Sequence, residues 1–211
     1  MMGKHEIQVG KVILFGCGGH ARSIINVLRE NEKVEQILLV DKKAHKEEII
    51  MGCKVVNEYT LQPDDGYIIA VGDNLKRSWL FQTLRNGQRG YPISPISEHA
   101  RIATGVQIGN GTFVAPNAYV GPMARIGDNT IINTGSIIEH ETIIGNNTHI
   151  APNTTVCGRV NIGNNVFCGA GSTIIDKINI CDNVIIGAGA VINRDIVEAG
   201  TYIGVPARKI R

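Results

Sequence analysis

From Ile96 to Ile192 every sixth residue is Ile or Val, with Cys168 the one exception among seventeen positions and no insertion to break the register. Four residues after each aliphatic stands a small or β-branched side chain: Ala100, Val106, Thr112, Ala118, Ala124, Thr130, and so on to Ile196. Gly often follows the aliphatic directly, as at Gly109, Gly121, Gly127, Gly145, Gly163, Gly169 and Gly187, and Asn and Asp cluster just beyond it. A period of six fits neither an α-helix nor a coiled coil. It fits short strands that turn a corner every six residues, with the aliphatic inward and Gly, Asn and Asp in turns where positive φ is tolerated. Hexapeptide repeats of this kind are a solenoid signature. Three hexads close one triangular coil of eighteen residues, so the seventeen make nearly six coils. Stacked at the inter-strand spacing, they form a prism a little under ~30 Å tall. Parallel crossovers are normally right-handed, so the pattern itself does not set the hand.

The chain of 211 residues is long enough for one or two domains with real cores. A formal net charge of +2 gives no electrostatic argument for binding nucleic acid or a membrane. No apolar run is long enough for a membrane span, and residues 1–10 are polar and carry no signal peptide, which points to the cytoplasm. The five cysteines include no Cys-x-x-Cys pair and read as reduced structural thiols.

Residues 1–10 are expected to be a flexible leader, 11–94 a small βαβαβ domain, 95–197 the solenoid and 198–211 a C-terminal cap. Strands are expected at Lys11–Phe15, Gln36–Val40 and Tyr67–Val71. The Ala21, Ile24, Ile25, Leu28 spacing predicts a helix, and a second is expected from about Leu75 to Asn86. Residues 42–65 read as irregular, with a short strand possible at Lys54–Val56, and Tyr91–Ser97 as the junction. Gly16-x-Gly18-x-x-Ala21 matches the dinucleotide fingerprint, with Asp41 ending the next strand. The domain is half of a full dinucleotide fold, which favours a single nucleotide over NAD or FAD. His20, at the helix start, is either a plain polar residue there or a partner for a phosphate-bearing ligand, by hydrogen bond or by charge.

Within the solenoid the stretch Ile132-Asn133 to Glu139-His140-Glu141 departs from the bland repeat. Residues eighteen apart stack, so His140 is expected near Gly158, about one strand spacing (~5 Å) away. A base and a backbone N–H facing one surface suit acyl transfer, the base taking a proton and the N–H meeting the oxyanion. A carboxylate such as Glu141 beside a histidine makes it more basic and fixes its tautomer. The alternative is that His140 and Glu141 are solvated corner residues. The tail Gly204-Val-Pro206-Ala-Arg208-Lys209 is either a plain solenoid cap or, through its cations, a contact for a phosphate-bearing cofactor.

Together the Gly-Cys-Gly-Gly-His loop, the unbroken hexads, Ile-Ile-Glu-His-Glu-Thr-Ile-Ile-Gly and the terminal Gly-Val-Pro-Ala-Arg resemble one family. It is that of the bacterial sugar O- and N-acetyltransferases, of the sialic acid O-acetyltransferase and UDP-4-amino-sugar (bacillosamine) N-acetyltransferase type, within the hexapeptide-repeat acyltransferases. The resemblance implies a left-handed parallel β-helix, a homotrimer with acetyl-CoA between adjacent prisms, and a nucleotide sugar held by the N-terminal domain. It implies that His140 is the general base, Glu141 its partner and the Gly158 N–H the oxyanion donor. His149, Ala170 and Ala188 would meet acetyl-CoA, with Gly204, Pro206, Arg208 and Lys209 beside it. Gly18, Gly19, His20, Asp41, Lys42, Gly72 and Asn133 would surround the sugar nucleotide. Lys42 follows Asp41 where a relative has a second Asp. Acetylation of an amine on a nucleotide-linked sugar is the favoured reaction, and acetylation of a sugar hydroxyl the alternative. A γ-carbonic-anhydrase-like zinc site is a distant rival, since only His140 and His149 are suitably placed, and no metal is expected. A non-catalytic scaffold would explain the solenoid but not the three motifs together.

Overall fold

The computed structural model describes residues 10–30, 34–45, 47–87 and 89–210. Apart from Gly10, the expected leader lies outside the described residues. The N-terminal domain contains β1 (Lys11–Phe15), α1 (Gly19–Leu28), β2 (Gln36–Val40), β3 (Ile49–Ile50), β4 (Cys53–Val56), β5 (Gly66–Ile69), α2 (Asn74–Asn86) and β6 (Tyr91–Pro92). They form one sheet in the order β3-β4-β2-β1-β5-β6, parallel except for β3 against β4. The central strand β1 carries Val12, Ile13 and Leu14, all fully buried, as a strand covered on both faces requires. Helix α1 buries Ala21, Ile24, Ile25 and Leu28 on the expected stripe. Asp73 caps α2 by accepting from the Lys76 N–H at 2.8 Å.

The strand expected at Lys54–Val56 is present as β4, and two further pairings lie where irregular chain or a junction was expected. Residues 49–56 form a hairpin whose turn places Met51 and Gly52 at φ 49° and 75°. A methionine at positive φ gives no turn signal in sequence, which hid the hairpin. Tyr91–Pro92, read as linker, is an edge strand beside β5, where a proline lacking its N–H is tolerated.

The remaining chain is a parallel β-helix whose three faces hold stacked strands of mostly two residues each. Partners on each face are eighteen residues apart, as in Tyr119↔Ile137, Ile143↔Asn161 and His149↔Phe167. The aliphatic column from Val114 to Ile192 lines one continuous core. Thr112, Thr130 and Thr148 are fully buried, each donating its hydroxyl to the carbonyl of Gly127, Gly145 or Gly163 at 2.7–3.0 Å. No described helix is long and apolar enough to cross a membrane.

The glycines have a different cause from the one their sequence context suggests. Positive φ falls three residues after each aliphatic, at every sixth residue from Gly105 to Gly189, where Asn is the commonest residue. The glycines directly after the aliphatics keep ordinary φ. They are required by contact: a Cβ on Gly145 would lie 2.6 Å from the carbonyl carbon of Gly163 and 2.8 Å from the Asn164 nitrogen. The repeat also ends earlier than its pattern implies. Ile196 pairs with Ile180 at a spacing of sixteen, so it fills the inward aliphatic column instead of the small-residue position. Gly200–Ile203 then stacks on Val184–Ile186 at the same shortened spacing and turns back through Arg208–Lys209.

The N-terminal domain sits on one face of the β-helix. Phe113, Ala115 and Ile131 point outward from the solenoid into the core beneath α1. The Glu30 carboxylate accepts from the Ser97 hydroxyl at 2.9 Å and the Glu98 N–H at 2.8 Å, and Asn74 donates to the Val166 carbonyl at 3.0 Å.

The two glycine roles separate under mutation. Gly145→Ala should cost about 3 kcal/mol, because backbone and not a movable side chain must yield. Asn153→Gly, at φ 57°, should change stability by less than about 1 kcal/mol, since glycine adopts that conformation freely. Urea unfolding of the two variants checks the contrast, and equal losses would refute it.

Candidate active site

His140 stands two residues after Ile138, at a corner of the β-helix. Glu141 occupies the left-handed position of that corner at φ 57°, and its Oε2 lies 3.1 Å from His140 Nδ1. Eighteen residues on, Gly158 takes the same place in the next coil. A Cβ there would sit 2.5 Å from His140 Nε2 and 2.6 Å from Cε1. The imidazole therefore lies across the Gly158 backbone, and only glycine leaves it room. At the neighbouring corner the equivalent N–H groups are capped by side chains of the following coil: Asn110 by Asp128, Asp128 by Asn146, Asn146 by Asn164 and Asn164 by Asp182, at 2.7–2.8 Å. The residue placed to cap Gly158 in this way is Asp176, but its carboxylate oxygens lie 3.5 Å from Arg159 and Lys177 instead. The Gly158 N–H has no acceptor among the described residues. With 44% of its side chain exposed, His140 is open to a substrate.

A second cluster forms where the two domains meet. His149 Nδ1 lies 3.3 Å from the Gly72 carbonyl and its Nε2 lies 3.2 Å from Asn133 Nδ2. One neutral tautomer satisfies both, with the proton on Nδ1 and Nε2 accepting. The ring stands edge-on to Phe167, with centroids 5.2 Å apart. Burial, reinforced by the nearby Arg77 cation, pushes His149 down to about 4. His20 packs edge-on against Phe113, and its buried Nε2 has no partner among the described residues. Burial, with His149 and Arg77 adding to it, pushes His20 down to about 3. A histidine held neutral in this way is suited to hydrogen-bond a ligand, not to charge-pair with it.

Arg77 was not foreseen from the sequence. It is 1% exposed, and its guanidinium donates to the carbonyls of Val71, Gly72, Asn129, Asn147 and Thr148 and to Asn74 Oδ1, at 2.8–3.3 Å. Arg77 lies three residues after Asn74 and four before the buried Phe81, on the face of α2 that turns inward once the helix docks on the β-helix.

In the glycine loop, Gly16 has φ 113°, and a Cβ there would lie 2.9 Å from the Ala70 carbonyl oxygen. Gly18 and Gly19 face open space. Helix α1 has no side-chain cap and no acid in its first turn, as an anion-binding helix start requires. Asp41 braces this loop from within. Its Oδ1 accepts from the Lys43 N–H at 2.9 Å and its Oδ2 from the Cys17 N–H at 3.3 Å, and the Lys43 bond leads in holding its pKa down. Lys42 is exposed, and its carbonyl accepts from Asn57 at 3.4 Å. Gly72 offers its carbonyl to Arg77 and His149.

At the third corner Ala170 and Ala188 precede Gly171 and Gly189, both at φ 67° with open space around them. The N–H groups of the two alanines have no acceptor among the described residues. In the tail, the Gly204 carbonyl accepts from the Val191 N–H at 3.1 Å. Pro206 is exposed, as is Arg208, which donates to the Ala207 carbonyl, and Lys209 pairs with Glu198 at 2.7 Å. Among the described residues no three His, Cys, Asp or Glu side chains are grouped to hold a metal ion.

The two depressed histidines set a pH dependence of stability. The unfolded chain binds more protons than the folded one, so their stabilising contribution is complete above pH 6.5 and is lost as pH falls towards 4. The slope is ~1.4 kcal/mol per pH unit for each histidine. Urea unfolding between pH 4 and 8 should show it, and His149→Gln should flatten it.

The PglD N-terminal domain family model matches residues 11–84, and the bacterial transferase hexapeptide model (six repeats) matches residues 123–158. No curated relative matches the chain. Among solved structures, PerB from Caulobacter crescentus, in complex with CoA and GDP-perosamine, is 30% identical, with 96% of this chain and 98% of that one covered and a TM-score of 0.84. The acetyltransferase domain of PglB from Neisseria gonorrhoeae is 24% identical, with 95% and 99% covered and a TM-score of 0.89. WeeI from Acinetobacter baumannii is 21% identical, with 94% and 99% covered and a TM-score of 0.84. With 30% identity to PerB over 96% of its length, the chain belongs to the hexapeptide-repeat sugar acetyltransferase family.

Proposed function

We propose that this chain is an acetyl-CoA-dependent N-acetyltransferase acting on the amino group of a nucleotide-linked 4-amino-4,6-dideoxy sugar. It would work as a cytoplasmic homotrimer, with its sites at subunit interfaces, in bacterial surface-glycan or glycoprotein biosynthesis. The observation that carries the reading is the packing of His140 across Gly158, with Glu141 on Nδ1 and an uncapped N–H beneath the ring. PerB, bound to CoA and GDP-perosamine, supports the substrate class.

The neutral sugar amine attacks the thioester carbonyl and His140 Nε2 takes its proton, while Glu141 accepts the Nδ1 hydrogen and steadies the imidazolium. The Gly158 N–H donates to the tetrahedral oxyanion. As the C–S bond breaks, His140 returns the proton to the departing sulfur, leaving the amide and free CoA. The bare corner at Ala170 and Ala188 suits the amide groups of the pantetheine arm, and Arg208 and Lys209 suit the CoA phosphates. The acetyl-CoA contact assigned to His149 is made through its ring face, since Gly72 and Asn133 occupy both ring nitrogens. Gly18, Gly19 and the α1 N-terminus hold the diphosphate, His20 offers its free Nε2 to the sugar nucleotide, and Asp41, Lys42, Gly72 and Asn133 frame that pocket.

The test is CoA release measured with UDP-, GDP- and dTDP-linked 4-amino sugars and with free sialic acid. One nucleotide amino sugar should turn over. His140→Ala should lose about 10³-fold in kcat. Gly158→Ala keeps the base but displaces its ring, and should lose about 10²-fold with little change in Tm. Turnover of sialic acid alone would move the assignment to hydroxyl acetylation. Full activity without His140 would overturn the site.

A further inference from the structure

The junction between the domains is held by a cation that has no carboxylate partner in contact among the described residues. All five guanidinium donors of Arg77 are used on neutral oxygens, three from residues 71–74 and three from the β-helix at Asn129, Asn147 and Thr148. A buried charge satisfied only by carbonyls is expensive, and an apolar side chain of the same size would serve packing as well. What an apolar side chain could not do is fix six oxygens from two domains around one rigid plane.

Those oxygens lie at informative places. Val71 and Gly72 follow β5, directly beside the glycine loop, since Gly16 rests on the Ala70 carbonyl. Asn147 and Thr148 lead into His149, whose Nδ1 reaches back to the same Gly72 carbonyl that Arg77 binds. The loop face that would hold the nucleotide sugar is thus tied through one side chain to the scaffold that carries His140.

We propose that Arg77 is a positioning residue for catalysis, setting the distance between the nucleotide-binding loops and the β-helix so that a substrate anchored on the N-terminal domain presents its amine to His140. The proposal rests on the function stated above. Arg77 would act through Gly72, Asn74 and the 147–148 backbone and would not touch substrate.

A positioning role differs from a purely structural one in how it treats a truncated acceptor. A nucleotide-linked substrate draws on remote binding to bring its amine into place, whereas the methyl glycoside of the same amino sugar has no nucleotide for the N-terminal domain to hold. Arg77→Met should lower kcat/KM for the nucleotide-linked sugar by about 30-fold or more, while the slow turnover of the methyl glycoside stays within about threefold of wild type. Arg77→Lys keeps the charge but only three donors, and should fall between the two; it carries the test if Arg77→Met does not fold. Equal losses on both acceptors would make Arg77 a general stabiliser, and no loss on either would make the clamp irrelevant; both results overturn the proposal. His140→Ala run alongside separates the two readings: an inactive wild type or an active His140→Ala enzyme is a failure of the function itself, not of the role of Arg77.

Discussion

The close stacking of one coil on the next governs everything else in the β-helix. Backbone bonds such as Gly145 N–H to the Ile162 carbonyl at 2.8 Å bring successive coils together so tightly that, where glycine follows the aliphatic, as at Gly145 and Gly163, there is little room for a Cβ. The corner then needs a left-handed residue two positions later. Between these two constraints lies one position whose side chain is free to vary, and the three corners use it differently. One column carries Asn and Asp side chains that cap the coil before. A second carries His140 and Gly158. A third carries Ala170 and Ala188 and exposes backbone. Structural capping and the proposed chemistry thus occupy the same slot of the repeat, and a histidine over a glycine stands where the cap is given up.

The domain junction combines an apolar contact through Phe113, Ala115 and Ile131 with a buried cation, Arg77. Arg77 puts a positive field beside two buried histidines, and that field adds to burial in keeping both neutral. A neutral His149 can donate to Gly72 and accept from Asn133 at the same time, which a doubly protonated ring could not. One buried cation therefore stabilises the tautomer on which the junction depends, and Asp41 plays a comparable part in the glycine loop by accepting from the backbone on both sides.

The fold was legible in the sequence because a six-residue period survives unbroken over seventeen positions, and no other regular structure has it. His140, Glu141 and Gly158 were legible for the same reason: stacking at eighteen residues turns a linear pattern into neighbours. What the sequence hid was whatever depends on contact rather than on period. Glycines at two corner positions look alike on paper, yet one kind answers to φ and the other to a carbonyl in the next coil. The shift from eighteen to sixteen at Ile196 leaves an apolar residue where one was expected, so its change of role is silent. Arg77 sits in a helix with an ordinary charged pattern, and its burial follows only once α2 lies on the solenoid. Asp41 follows its strand somewhat late for a ribose-binding acid, and its oxygens turn inward to the loop.

The raised thiols of Cys17, Cys157 and Cys168 give no support to an acyl-enzyme, in keeping with the direct transfer proposed above. Cys157 immediately precedes Gly158, near enough in the chain to be considered as a nucleophile that His140 could activate. Burial raises its pKa, and the carboxylates of Asp176 and Glu139 raise it further. Cys17, at the glycine loop, is pushed up to about 11 by burial and by Asp41, and Cys168, inside the coil, to about 12 by burial alone. An acyl-enzyme requires the opposite trend, a thiolate favoured by a nearby cation or helix start. An amine brought to the thioester needs no such intermediate, because it is already nucleophilic when neutral. In the proposed reaction the one proton to be moved is the one assigned to His140.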